Sequence, residues 1–241
     1  MTKPQGVHHI AYSTGDMKTQ LQFFTQVLGL ELVALFWMHG VKGAWHSFLK
    51  LNDQSFISFV HLPEMTELKG VIGISHAGNP AGVSVGGTVQ HLSLRVGSPD
   101  EVLEMRDRIR SHGVPVLGEL DHGMCRSIYF AGPEGMVMEI ACVGDLQTVE
   151  PDAWIDPEVV RHSGITEAEL ALMISPPPFV RPDKPVPQPE YNHSKPHLVY
   201  PGNAYDRLLA MPDEEMTRDW SVPNAPVGPE SKANAAEVKV N

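Results

Sequence analysis

Residues 7–29, VHHIAYSTGDMKTQLQFFTQVLG, and residues 89–113, VQHLSLRVGSPDEVLEMRDRIRSHG, share one build. Each starts with a short run alternating apolar and polar residues, the period of a strand with one buried face. Each then turns helical. In the first copy Asp16 is the N-cap, and Met17, Leu21, Phe24 and Leu28 recur at helical spacing up to Gly29. In the second, Ser98 is the N-cap, Pro99 takes the first helical position, Glu101 completes a capping box and Gly113 ends the helix. Three strand-like segments follow each helix: LELVALFWM, AWHSFLKL and SFISFVHL in the first copy, VPVLGEL, RSIYFAG and MVMEIAC in the second. The chain thus contains a strand–helix–three-strand repeat, an α+β organisation of two βαβββ modules at 5–62 and 87–145, joined by a Gly-rich surface linker at 63–86.

The remainder, 146–241, differs in composition. Of the 21 prolines, 15 fall after residue 150, and that stretch carries 14 acidic against 8 basic residues. It cannot bury enough apolar surface for a core of its own. An extended Pro-rich tail is expected, with short helices at ITEAELALM and NAYDRLLAM and a frayed end at 230–241. Its aromatics Trp154, Phe179, Tyr191, Tyr200, Tyr205 and Trp220 mark it as a docking strap, for its own body or for the second subunit of a homodimer. The net charge of −11 disfavours nucleic acid. No apolar run reaches the roughly 20 residues of a membrane span. The N-terminus lacks the build of a signal peptide, and Cys125 and Cys142 are too few for a disulfide framework or a thiolate zinc site, so a cytoplasmic setting is expected.

The segments HHIAYSTGDMKTQLQFFTQVLGLELV and QHLSLRV…SIYFAGPEGMVMEI resemble the vicinal-oxygen-chelate superfamily, which includes glyoxalase I, extradiol ring-cleavage dioxygenases, methylmalonyl-CoA epimerase and antibiotic-resistance proteins. The resemblance spans about residues 5–145. It implies that the paired modules curl into a metal-binding cup.

Superposing the two first strands makes His9 and His91 equivalent. His8 and His9 are adjacent on a strand and cannot both face inward, and the superposition selects His9. The resemblance places the third ligand on the last strand of the second module, at Glu139. Flanked by Met138 and Ile140, that carboxylate needs a partner, which a metal supplies. The corresponding residue of the first module is Ser58, a poor ligand. Two histidines and one carboxylate with open positions match non-haem Fe(II) oxygenases, although Mn, Zn, Ni or Co fits the same ligands.

Within the superfamily, four residues point to extradiol dioxygenases. Ser127 and Tyr129 resemble the Ser-aromatic-Tyr strand of those enzymes, whose tyrosine hydrogen-bonds the metal-bound catecholate; Ile128 departs from the aromatic. A Gly-Pro-Glu-Gly turn brings Tyr129 back beside Glu139. His46, in AWHSFL, resembles their acid/base histidine, and His122 resembles a further pocket histidine. The expected protein is an Fe(II) dioxygenase acting on a catechol-like aromatic substrate and O2. One pair of modules, where full-length relatives have two, leaves the substrate open. The alternatives are a glyoxalase-type lyase, which Ser58 argues against, a methylmalonyl-CoA-type epimerase, or a non-catalytic binding protein.

Overall fold

The computed structural model describes residues 3–145 and 149–227. It divides into two compact units, Lys3–Pro176 and a second that begins at Pro177.

The first unit holds the repeat. Its first module runs β1 (His9–Ser13), α1 (Met17–Gln22), β2 (Glu31–Trp37), β3 (Trp45–Asn52) and β4 (Ser55–His61). Its second runs β5 (Leu92–Arg95), α2 (Pro99–Ser111), β6 (Val116–Asp121), β7 (Cys125–Ala131) and β8 (Val137–Val143). Each module makes a four-stranded mixed sheet, ordered β1-β4-β3-β2 and β5-β8-β7-β6. In each, the first strand lies parallel to the last, and the other neighbours are antiparallel. This is the α+β fold that the repeat predicts. β1 and β5 are the outer strands on one side of their sheets, and neither is hydrogen-bonded to the other.

Alternation decides which face of each sheet meets the helices. Leu49, Ile57 and Phe59 from one sheet and Leu94, Ile128, Phe130, Met138 and Ile140 from the other form one core with Met17, Phe24 and Leu28 of the first helical segment and Val102 and Ile109 of α2. The opposite faces carry His9, His46, Phe48 and Ser58 in the first module, and His91, Ser127, Tyr129 and Glu139 in the second.

The helix caps follow the sequence with one change. Asp16 accepts from the Thr19 N–H, and Ser98 accepts from the Glu101 N–H. Glu101, however, reaches past the cap to the N–H of Gly97 at 2.8 Å, so the box is displaced by one residue. Past Gln22 the first helix widens into a π turn, Phe23–Val27. Gly29 ends it with φ +83°, and its missing side chain leaves room for Arg108 of α2. That guanidinium donates to the carbonyls of Gln26 and Val27, tying the two modules together.

Beyond β8 the first unit continues through α3 (Pro151–Trp154), α4 (Pro157–His162) and α5 (Glu167–Ile174), the last closed by a full Thr166–Glu169 capping box. The second unit contains α6 (Ala204–Ala210) and α7 (Asp213–Trp220). The segments ITEAELALM and NAYDRLLAM are helical as expected; α3, α4 and α7 are additional. Within the second unit Tyr191 packs against His193, His197 and Tyr205, and Tyr200 stacks on Tyr205. Some tail aromatics therefore cluster locally, which composition does not reveal. The frayed end expected at 230–241 lies outside the described residues. No helix among the described residues is long and apolar enough to cross a membrane.

Candidate metal centre

The two modules superpose by register as well as by order. Ala11 faces Ser58 across β1–β4, and Ser93 faces Glu139 across β5–β8. Phe48 pairs with Ser58, and Tyr129 with Glu139. His9 thus corresponds to His91, Ser58 to Glu139, Phe48 to Tyr129 and His46 to Ser127.

In the second module the expected groups converge. His91 Nε2 lies 3.1 Å from Glu139 Oε2, and the Glu139 side chain is only 6% exposed. Tyr129, beside Glu139 in the ladder, shares a 3.1 Å hydrogen bond between its hydroxyl and His122 Nε2. Burial, and next the negative charge of Glu139, push the Tyr129 pKa above its usual value, so near neutral pH it remains a phenol able to donate.

The surroundings of His91 set its tautomer. Gln90 Nε2 points at the carbonyls of Asn79, Pro80 and Gly82, at 3.2, 2.8 and 3.3 Å. Three acceptors fix the amide orientation, so Oε1 is the atom against His91 Nδ1. Nδ1 must then donate, which leaves Nε2 with either a lone pair or a second proton. A lone pair 3.1 Å from a buried carboxylate oxygen is repulsive. A cation, either a proton or a metal ion, satisfies both atoms. The donor set of imidazole nitrogen and carboxylate oxygen suits a divalent transition metal. Gln90 escapes sequence reasoning because its role depends on the linker folding back over it; the only visible signal is its place beside His91.

The first module presents a different half. His9 is exposed and does not join His91 and Glu139: among the described residues no group of three His, Cys, Asp or Glu side chains comes together to hold a metal. Its Nδ1 lies 2.9 Å from His8 Nδ1, and its ring packs edge-on against Phe48. His46 packs against Phe48 from the same face, and its Nε2 meets Ser58 Oγ at 2.5 Å. Burial, and then the neighbouring His9 charge, hold the His46 pKa below the usual histidine value. A cavity of about 240 Å³ borders His91 and Gln90, with Tyr12, His76 and Met136 among its walls. Burial there raises the Tyr12 pKa to about 12, and its hydroxyl has no hydrogen-bond partner among the described residues.

A profile of the glyoxalase/bleomycin resistance protein/dioxygenase superfamily matches residues 6–140. The sequence has no significant match among curated proteins. Similar solved structures include a glyoxylase/bleomycin resistance protein/dioxygenase domain from Frankia sp. EAN1pec, 13% identical over 58% of this chain and 99% of that one, with a TM-score of 0.46. The antibiotic-binding protein TnmS3 from Streptomyces sp. CB03234 is 19% identical over 60% of this chain and 100% of its own, with a TM-score of 0.41. The fosfomycin resistance protein FosX from Listeria monocytogenes, complexed with Mn(II) and sulfate, is 18% identical over 58% of this chain and 93% of its own, with a TM-score of 0.39.

Proposed function

Because the chain belongs to the glyoxalase/bleomycin resistance protein/dioxygenase superfamily, we propose that it is a divalent-metal enzyme of the extradiol-dioxygenase type, acting on a catechol-like substrate with O2. The observation that carries the metal reading is the His91–Glu139 pair, whose facing atoms call for a cation once Gln90 has fixed the His91 tautomer. His91 and Glu139 would hold the ion with His9 as third ligand. Bound as Fe(II), the ion supplies Lewis-acid activation of two vicinal substrate oxygens and electron transfer to O2.

The protein's own groups would do the rest. The Tyr129 phenol, steadied by His122, donates a hydrogen bond to a substrate oxygen beside Glu139. His46, kept neutral near pH 7, exchanges a proton with the substrate from the other module. Ser58 at the register position of Glu139 removes the fourth protein ligand of a glyoxalase-type lyase and so favours oxygen chemistry over that alternative.

His9 lies on the other sheet, so we further propose that the ligand set is completed in a homodimer, one protomer supplying His9 and its partner His91 and Glu139. The outer β1 and β5 edges, which pair with no further strand among the described residues, support this arrangement.

The test is metal content after purification without added metal, followed by anaerobic Fe(II) loading and assay on catechols. Iron near one per chain with O2 uptake matching ring-fission product supports the proposal. Stoichiometric zinc or nickel with no O2 uptake removes the dioxygenase reading.

A further inference from the structure

Ser58 occupies the position at which the second module carries its carboxylate, yet it is fully buried and engaged. Its Oγ contacts His46 Nε2 at 2.5 Å, and this is its one side-chain hydrogen bond among the described residues. The contact is not between directly paired residues. Phe48 is the cross-strand partner of Ser58, while His46 pairs with Val60 two positions along, so the imidazole leans over Phe48 to reach the hydroxyl. A glutamate at position 58 would fill the space that the ring now enters.

The direction of this hydrogen bond follows from counting protons. A serine hydroxyl has one proton to give and lone pairs to accept with. Were His46 to donate from Nε2, the Ser58 proton would be left in a buried place with no acceptor, an unfavourable arrangement. Both groups are satisfied when Ser58 donates to the Nε2 lone pair. A neutral ring then carries its own proton on Nδ1, the nitrogen with no hydrogen-bond partner among the described residues. In unconstrained histidine the opposite tautomer, with the proton on Nε2, is preferred.

We propose that Ser58 is a positioning residue that locks neutral His46 in the Nδ1–H tautomer, so that His46 meets a bound substrate oxygen as a hydrogen-bond donor. A phenolate or enolate oxygen is the kind of ligand group such a donor stabilises. With Nε2 committed to Ser58, His46 begins the reaction as a hydrogen-bond donor, and it exchanges a proton with substrate only once Nε2 is released from Ser58 and takes one up. The reading of this face as a substrate site rests on the function proposed above; the tautomer itself does not.

The experiment is a long-range ¹H–¹⁵N correlation spectrum of full-length protein labelled with ¹⁵N-histidine, first metal-free and then with Zn(II) as a diamagnetic probe. His46 is assigned by the signals lost in His46→Gln. Its Nε2 should show the shift of an unprotonated imidazole nitrogen and its Nδ1 that of a protonated one. Ser58→Ala should turn His46 over to the Nε2–H form, and Ser58→Thr, which keeps the hydroxyl, should restore Nδ1–H. An Nε2–H signal in the wild type overturns the proposal even if Ser58→Ala fails to fold. So does Nδ1–H surviving in a folded Ser58→Ala protein, or Zn(II) coordinating His46 itself. The expected His46 tautomer with no Zn(II) effect at His91 upholds the Ser58 role and removes the metal reading instead.

Discussion

Glu134 in the turn between β7 and β8 accepts a 2.6 Å hydrogen bond from the Thr14 hydroxyl at the end of β1, joining the two modules 120 residues apart in sequence. The same carboxylate takes the Gly15 N–H and the Gln20 side-chain amide, each at 2.7 Å. Thr14 and Gln20 are buried, so their donors depend on this acceptor. Glu134 reaches them from a left-handed backbone, φ 53°, with Gly135 after it also at positive φ. The turn that sets Tyr129 beside Glu139 is thereby anchored to the N-terminal end of α1.

Glu134→Gln should destabilise the protein by about 1.5–3 kcal/mol, the range for a hydrogen bond to a charged group, because the new amide turns donors toward donors. Urea unfolding measures it, and an unchanged midpoint would show the latch to be idle. The pH dependence follows from the carboxyl pKa. Burial alone would raise it, but hydrogen bonds from Thr14, Gln20 and the Gly15 and Asp16 N–H groups outweigh burial and hold it below the ordinary value. A depressed folded-state pKa gives stability that is fully present above the unfolded value, about 4.3, and is lost as pH falls through the folded value. The gap between wild type and Glu134→Gln should therefore be widest near neutrality and close on acidification.

The repeat was legible because alternation, capping residues and stop glycines are local signals, and both copies carry them. The superposed strands pointed to His91 and the family resemblance to Glu139, and the β5–β8 register sets the two side chains side by side. What escaped depends on distant chain. Gln90 acquires meaning only when Asn79–Gly82 folds over it, and Ser58 reads as a mere gap until His46 leans across Phe48. His122 lies seven residues before Tyr129 with its register unresolved in sequence, and the reversal between β6 and β7 brings the two side chains together. The separation of His9 from the other expected ligands is a matter of sheet placement, which strand periodicity does not encode.

Glu139→Gln should abolish stoichiometric metal binding, since an amide is a weaker ligand and carries no charge to balance a divalent ion. Elemental analysis after dialysis decides it. Full occupancy in the variant would remove Glu139 from the site.

Gln90→Leu should keep the fold but weaken metal binding by roughly 10–100-fold, the usual effect of losing the group that orients a ligand histidine. Competition for Co(II) against a chelator of known affinity reads this directly. Wild-type affinity in the variant would mean that Gln90 merely pins the linker.

His46→Ala should retain metal and lose turnover by about 10²–10⁴-fold, the range for a group that exchanges protons with substrate. Metal content and kcat, measured on the same preparation, separate the possibilities. Loss of metal would make His46 a ligand, and unchanged kcat would make it a bystander.

Truncation after Pro176 tests the tail at the boundary between the two compact units. The cut leaves both modules and α3–α5 whole, so the shortened chain should fold. Prolines keep much of the removed segment extended and lower the entropy lost when it docks. The Tyr191–Tyr205 cluster already occupies several of its aromatics, which leaves Phe179 and Trp220, 72% and 59% exposed, as its free anchors. Each could contribute on the order of 1.5–3 kcal/mol when covered by a second copy. Sedimentation should show the full-length protein as a dimer and the truncated one as a monomer. If the partner supplies His9, metal stoichiometry should fall together with the dimer. A truncated protein that remains dimeric and metal-bound would place the subunit contact in the modules alone. A monomer that keeps its metal would put all three ligands within one chain.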